Sequence, residues 1–342
     1  MRVTRIGVLA SSAFRPFSLT SYRRDGIFRS FNISRSQFRT TMEEDTKKRV
    51  ILIKAVKAST SELLGFIKFQ YGRDGYSVGG LKIANFNATL PYRSLGTGAT
   101  PKAYDSRQTG QHGEGMKLSA LVFRRNNYNF RIESGEFKWN FIFKKGELAC
   151  GMRRMLGKSY GTLKQQEKGK PRSEIARPWS DVCVIIGALG NTRTVDGIKT
   201  KGKAINVGDF RKMLKITLDI DPPEKLVHTA HGDLIRDLRY QGQMFLCGLL
   251  LPSGGTSGKP YVYGYNFTDG STTRDRNTLA GAGEESKRIA AIWASAIRAD
   301  DSKDSDLVTE YTNLLLNHLN RKGDVVLSNE TNCLAKDTAF EV

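Results

Sequence analysis

Gly110, Gly113 and Gly115 stand at GxxGxG spacing in Gly110-Gln111-His112-Gly113-Glu114-Gly115-Met116-Lys117, directly before a run with apolar residues at helical spacing. Three glycines so placed let a backbone pass close to a bulky anion. A helix opening there aims its free N–H groups and positive dipole end at that anion. Lys117 adds a charge in the first turn. The same residues also read as a flexible loop with a glycine cap. A dinucleotide fingerprint is excluded, because it needs a strand immediately before the glycines and the residues before Gly110 are polar loop. Ser253-Gly254-Gly255-Thr256-Ser257-Gly258-Lys259 imitates a phosphate loop but lacks its first glycine. Pro260 also stands where a magnesium-binding hydroxyl is required, so the stretch reads as a hairpin loop.

Other residues could do chemistry in the second half. Arg274 and Arg276 flank Asp275 and suit bidentate phosphate contact, or form an ion pair that braces a loop. Tyr261, Tyr263 and Tyr265 alternate at strand spacing and could stack on bases; a buried strand face gives the same pattern. His228 and His231 form an HxxH with no carboxylate at matching helical spacing. Four dispersed cysteines without a CxxC pair argue against a zinc ribbon or a disulfide scaffold and fit a reducing compartment.

The elements that must position these groups follow from periodicity. Residues 50–56, 63–69, 81–86 and 181–189 read as strands, and residues 128–133 and 137–143 as a hairpin turning at Ser134-Gly135. Residues 116–125 read as a helix. Residues 144–177 carry ten Lys and Arg against three Glu and read as a helix followed by a basic loop. Residues 209–218 look helical with Asp209 as N-cap. The Pro222-Pro223 pair marks a boundary. Beyond it, residues 244–251 and 261–265 read as strands, and residues 284–299 and 307–319 as amphipathic helices.

The chain has 342 residues and a formal charge of +20. That favours contact with polyanions without saying which. Its longest apolar run, residues 244–251, is far short of the ~20 residues that cross a bilayer, so membrane insertion is not expected. Residues 1–42 hold eight arginines and one acid. That composition fits a mitochondrial transit peptide, a basic tail, or a displaced domain start. The remainder fits an intracellular protein, cytoplasmic or nuclear.

Three stretches in order carry a resemblance: Leu81-Lys82-Ile83-Ala84-Asn85-Phe86-Asn87-Ala88, then Ser94-Leu95-Gly96-Thr97-Gly98-Ala99-Thr100-Pro101-Lys102, then Thr109 through the glycine box into Leu118-Ser119-Ala120-Leu121-Val122. Together they resemble the GHKL ATP-binding superfamily of gyrase, MutL proteins, histidine kinases and heat-shock chaperones. They look closest to stand-alone GHKL-like proteins of fungi and bacteria. The resemblance implies a Bergerat fold, a two-layer α/β sandwich with a mixed sheet, followed by a smaller α/β transducer-like domain. It implies ATP with magnesium as ligand. Gly110, Gly113, Gly115, Met116 and Lys117 match the second glycine box, and Thr100 and Lys102 match the lid. Asn85 stands where the family commonly has its adenine-binding aspartate, and Asn can still accept from the adenine amino group. Arg274 and Arg276 match by analogy the basic residues that reach the γ-phosphate from the following domain. Homodimers are common in the family.

The departure is the N-box, whose glutamate activates water and whose asparagine binds magnesium. Residues 1–48 hold no Glu-x-x-x-Asn, and Asn32 is the sole candidate magnesium ligand there. Hydrolysis needs an oriented water and a metal, so the motif set implies binding with lost or impaired ATPase activity. A histidine-kinase reading fails for want of a dimerisation helix bearing a phospho-accepting histidine. The other reading is a basic nucleic-acid-binding or scaffold protein without nucleotide chemistry. The expected organisation is a basic segment at 1–48, an ATP-binding domain at 49–220, a second α/β domain at 221–325 and a polar tail at 326–342.

Overall fold

A computed structural model describes residues 38–74, 79–90, 92–95, 115–155, 157–167, 170–187, 193–195, 198–200, 202–246, 248–251, 261–268, 284–299 and 306–320. Two compact units divide between Ile220 and Asp221. The first holds strands β1 (Phe38–Asp45), β2 (Val50–Lys57), β3 (Leu63–Gln70), β4 (Gly80–Asn85), β5 (Asn129–Ser134), β6 (Phe137–Lys144), β7 (Glu147–Arg154) and β8 (Val182–Gly187). Its helices are α1 (Gly115–Arg125), α2 (Lys158–Glu167) and α3 (Val207–Leu214). A separate two-stranded hairpin pairs β9 (Arg193–Val195) with β10 (Ile198–Thr200).

The eight strands form one sheet in the order β1-β2-β3-β4-β8-β5-β6-β7. Most neighbours are joined by hairpins, and two of these have two-residue turns. Gly135-Glu136 and Lys145-Gly146 take positive φ at both positions, the geometry that matches strand twist. β4 and β5 are joined instead through α1, which leaves a gap of one strand. β8 fills it, antiparallel to both. The mixed sheet expected for the first domain is therefore antiparallel at every described pairing, because hairpins make its neighbours and β8 separates the one crossover pair.

Alternation divides the sheet into two faces. Ile53, Ile67, Ile83, Phe130 and Trp139 point to the face that packs on Ala120 and Phe123 of α1 and Phe210 and Met213 of α3. Phe69 stacks on Phe210 with ring centroids 4.1 Å apart. The other face carries a smaller apolar cluster around Phe66, Ala84, Cys183 and Ile185. β8 is apolar on both faces, as a central strand must be. Burial pushes its Cys183 thiol up to about 12.

Four local expectations are corrected here. Residues 38–45 form edge strand β1 although their pattern lacks a buried face; Met42 is 59% exposed. Thr40 Oγ1 donates to the Asp219 carbonyl at 2.5 Å, which ties this strand to the end of the unit. Part of the presumed helix and loop at 144–177 is strand β7, turned back by Lys145-Gly146. Helix α3 starts at Val207 with Asn206, not Asp209, as N-cap. The Asn206 carboxamide accepts from Gly208 N and Asp209 N. The single strand expected at 244–251 is a hairpin about Gly248, whose φ of 77° suits glycine.

The second unit holds β11 (Leu226–Thr229), β12 (Gly232–Ile235), β13 (Met244–Leu246), β14 (Leu249–Leu251) and β15 (Gly264–Phe267), with helices α4 (Glu284–Ala299) and α5 (Asp306–Asn320). Its sheet runs β11-β12-β15-β13-β14, and the β13–β15 pair is parallel. The mixed sheet thus belongs to this unit. Ile289, Ile292 and Trp293 of α4 pack with Tyr265, Phe267 and Tyr311, and Trp293 Nε1 donates to Tyr265 Oη at 3.0 Å.

Arg239 braces the loop after β12 by donating from Nη2 to Asp237 Oδ2 at 2.7 Å. Together with backbone donors from Glu224 and Arg239, this holds the Asp237 carboxyl well below the usual carboxylate range. A depressed folded-state pKa stabilises fully above the ordinary aspartate value of 3.8. That contribution is lost as pH falls through the folded value. Melts of the parent below about pH 4 are expected to show an acid-dependent loss of stability that Asp237→Asn flattens.

Candidate functional site

The exit of β4 is the most elaborately fixed end of the first sheet. Asn85 closes the strand, with its Cα opposite Gly65 on β3 and Val182 on β8. Its side chain shares the helix-packed face with Ile83, two residues back. It is 4% exposed, and its Nδ2 has no hydrogen-bond partner among the described residues. Gly65 allows the close approach beside it: a Cβ there would lie 2.1 Å from the Ala84 carbonyl oxygen.

The chain leaving Asn85 is clamped twice. Asn87 N donates to Asp181 Oδ1 at 3.1 Å, and Leu90 N donates to Ser134 Oγ at 2.9 Å. Asp181 is fully buried at the head of β8. Nη2 of Arg172 donates to both its oxygens at 2.8 Å, and Arg177 N donates to Oδ2 at 2.6 Å. The Arg172 guanidinium also lies 3.8 Å over the Phe86 ring. Sequence reasoning gave Ser134 only a turn position and Asp181 only the first place in a strand. The available signal was an acid heading a strand otherwise wholly apolar.

After Leu90 the chain makes a short 3₁₀ turn at Tyr92–Leu95. It returns to the described residues at Gly115, the third glycine of the box and the first residue of α1. Leu95 and Met116 both pack against the helix-side core, as does Val182 beside Asn85. Met116 therefore has a packing role. Lys117 is half-buried, and the first turn of α1 contains no acid. The far end of α1 is closed by Asn127, with φ of 64°. Tyr128 N donates to the Phe123 carbonyl and Asn127 N to that of Arg124, the paired bonds of a Schellman cap. The C-terminal end of the helix is thus locked, while its N-terminal N–H groups come directly after the glycine box.

Of the residues singled out by sequence, Asn85, Gly115, Met116 and Lys117 are placed on or beside the helix-packed face. Asn32, Thr100, Lys102, Gly110, Gly113, Arg274 and Arg276 lie outside the described residues. Tyr261 and Tyr265 are buried in the core of the second unit and offer no stacking platform. His228 and His231 do not act as a pair. His228 Nδ1 bonds Asp233 Oδ1 at 2.8 Å, and Asn266 Nδ2 donates to Asp233 Oδ2 at 2.6 Å. Asn266 Oδ1 in turn accepts from Gly248 N at 2.7 Å. This ladder pins β11, β12 and β15 in register. Among the described residues no group of three or more His, Cys, Asp or Glu could hold a metal ion. No described helix is long and apolar enough to cross a membrane. No protein-family model and no curated protein matches the chain.

Proposed function

We propose that the first unit binds an adenine nucleotide in the manner of the GHKL superfamily. Asn85 reads the base, and the glycine box at 110–115 holds the phosphates at the N-terminus of α1. The observation that supports this most is the Asn85 amide. A buried donor without a partner costs about 1–3 kcal/mol, and Nδ2 of Asn85 is such a donor. An adenine edge offers what a carboxamide needs, an amino group to donate to its oxygen and a ring nitrogen to accept from its N–H. The opening of α1 at the third glycine of the box supports the phosphate half of the site. On this reading Thr100, Lys102, Arg274 and Arg276, which the resemblance matches to phosphate-contacting positions, are further candidate phosphate ligands. Magnesium would supply charge neutralisation on the phosphates. The glycines and Lys117 supply affinity rather than turnover, so the function proposed is nucleotide binding, with any ATPase activity weak.

Calorimetric titration of the full chain with ATP and magnesium tests this. The full chain is required because β1 begins at Phe38. The parent is expected to bind, and a Gly113→Val, Gly115→Val double variant is expected not to. A folded parent that takes up no ATP would end the reading.

A further inference from the structure

The face of the eight-stranded sheet turned away from α1 and α3 is unusually basic. Lys82 lies between Leu81 and Ile83, and Lys138 between Phe137 and Trp139, all of which point into the helix-side core. Both lysines therefore belong to the opposite face. The register then sets like charges directly opposite each other twice: Lys68 faces Lys82 across β3–β4, and Lys138 faces Arg153 across β6–β7. Directly opposed like charges destabilise a sheet. Three bases on this face are offset by acids, Lys54 by Glu43 at 2.6 Å, Lys68 by Glu174 at 2.5 Å and Arg131 by Glu133 at 3.0 Å. Lys82, Lys138 and Arg153 make no ion pair among the described residues, although Glu133 stands opposite Lys138 across β5–β6.

We infer that this face docks the phosphate backbone of double-stranded nucleic acid. Charge complementarity selects the ligand. From Lys82 on β4 to Arg153 on β7 is four strand spacings, or roughly 19 Å. A duplex presents roughly eleven phosphate charges along that length. The face excludes the competing polyanions by what it lacks. Its aromatic residues, Phe66 and Phe86, are buried, so it offers no platform on which unpaired bases could stack. Its apolar residues Cys183 and Ile185 are buried too, and Ile142 is half-buried, so among the described residues the face carries no fully exposed apolar anchor of the kind that inserts into a lipid surface or a protein partner. Contact through phosphates alone carries no base information, so binding is indifferent to sequence. This inference does not depend on the nucleotide site, which lies on the helix-packed side.

Fluorescence anisotropy of the full chain with a labelled 30-base-pair duplex tests it. The variants are Lys82→Glu/Lys138→Glu/Arg153→Glu on the face and Lys47→Glu/Lys212→Glu/Lys215→Glu away from it, with equal change in net charge. The face variant is expected to lose at least ~30-fold in affinity at ~0.1 M salt, and its salt slope should fall by about three contacts' worth. The control variant should lose only a few-fold. A neutral Lys82→Gln/Lys138→Gln/Arg153→Gln variant keeps the experiment decisive if the charge reversal unfolds. It should retain the parent's melting temperature, since it relieves opposed charges, and should still lose affinity. Equal losses in the face and control variants would overturn the inference. So would tighter binding to a single strand than to the duplex, or binding to anionic phosphatidylserine vesicles with none to the duplex.

Discussion

Asp181→Ala is expected to lower the melting temperature of the first unit by roughly 10 °C. Asp181 has no exposed surface and gathers five hydrogen bonds: two from Arg172 Nη2, and one each from Asn87 N, Arg177 N and Ser180 Oγ. Removing the carboxylate strands all these donors and leaves the Arg172 charge without its counter-ion over the Phe86 ring. Breaking a buried pair from one side costs about 3–5 kcal/mol, a large share of the 5–15 kcal/mol that holds a typical domain. Arg172→Ala is expected to cost less. It leaves the carboxylate two backbone donors and a hydroxyl, and the Arg172 side chain is already 28% exposed. The order matters more than either size. If Arg172→Ala melts lower than Asp181→Ala by circular dichroism, the ring contact rather than the carboxylate organises this corner. Asp181 also fixes the chain leaving Asn85, so Asp181→Ala should weaken nucleotide binding as well as stability.

That corner shows where the sequence could be read and where it could not. Strands β2, β3, β4 and β8 sit in the interior of the sheet with apolar residues in dense runs, and their pattern is legible within a residue or two. Helices α1, α4 and α5 announce themselves by spacing, because each buries one stripe. The edge strands do not. β1 reads Phe-Arg-Thr-Thr-Met-Glu-Glu-Asp, and β7 reads Glu-Leu-Ala-Cys-Gly-Met-Arg-Arg. Neither needs a continuous apolar face, since each has a partner strand on one side only. Their backbone hydrogen bonds do most to place them, helped by a few side chains such as Thr40 on β1 and Leu148 on β7. The cap of α3 was misplaced because Asn206 and Asp209 are both good caps; the backbone chose the residue in extended conformation at ψ 142°.

The candidate site was legible in part for a similar reason. Asn85 ends a strand that burial alone identifies, and Gly115 opens a helix that periodicity alone identifies. What periodicity cannot supply is the hydrogen-bond pattern between them. Asp181, some ninety-six positions after Asn85, meets Asn87 only because β8 inserts between β4 and β5. The insertion is a property of topology. It also explains why a fully buried acid is tolerated there: a crossover through α1 leaves the β4 exit and the β8 entrance side by side, with unpaired N–H groups that a carboxylate can gather.

Asn85→Leu should raise the stability of the first unit and lower its affinity for adenine nucleotides by at least ~10-fold. The two side chains have nearly the same volume, so the change creates neither a cavity nor severe overpacking. In the native chain the amide lies buried among Ile83, Val182 and the helix-side core, with Nδ2 unpartnered. Replacing an orphan donor by an apolar group removes its desolvation penalty, about 1–3 kcal/mol, which is an upward shift of roughly 2–8 °C for a unit of this size. The two readouts separate the possible roles of Asn85. If it is structural, leucine lowers the melting temperature and leaves the ATP titration unchanged. If it reads the base, the melting temperature rises, binding falls by at least ~10-fold, and the preference for ATP over GTP disappears with it. A variant that both melts higher and binds ATP as the parent does would leave the amide with no part in base recognition, and the phosphate half of the site would then have to stand on the glycine box alone.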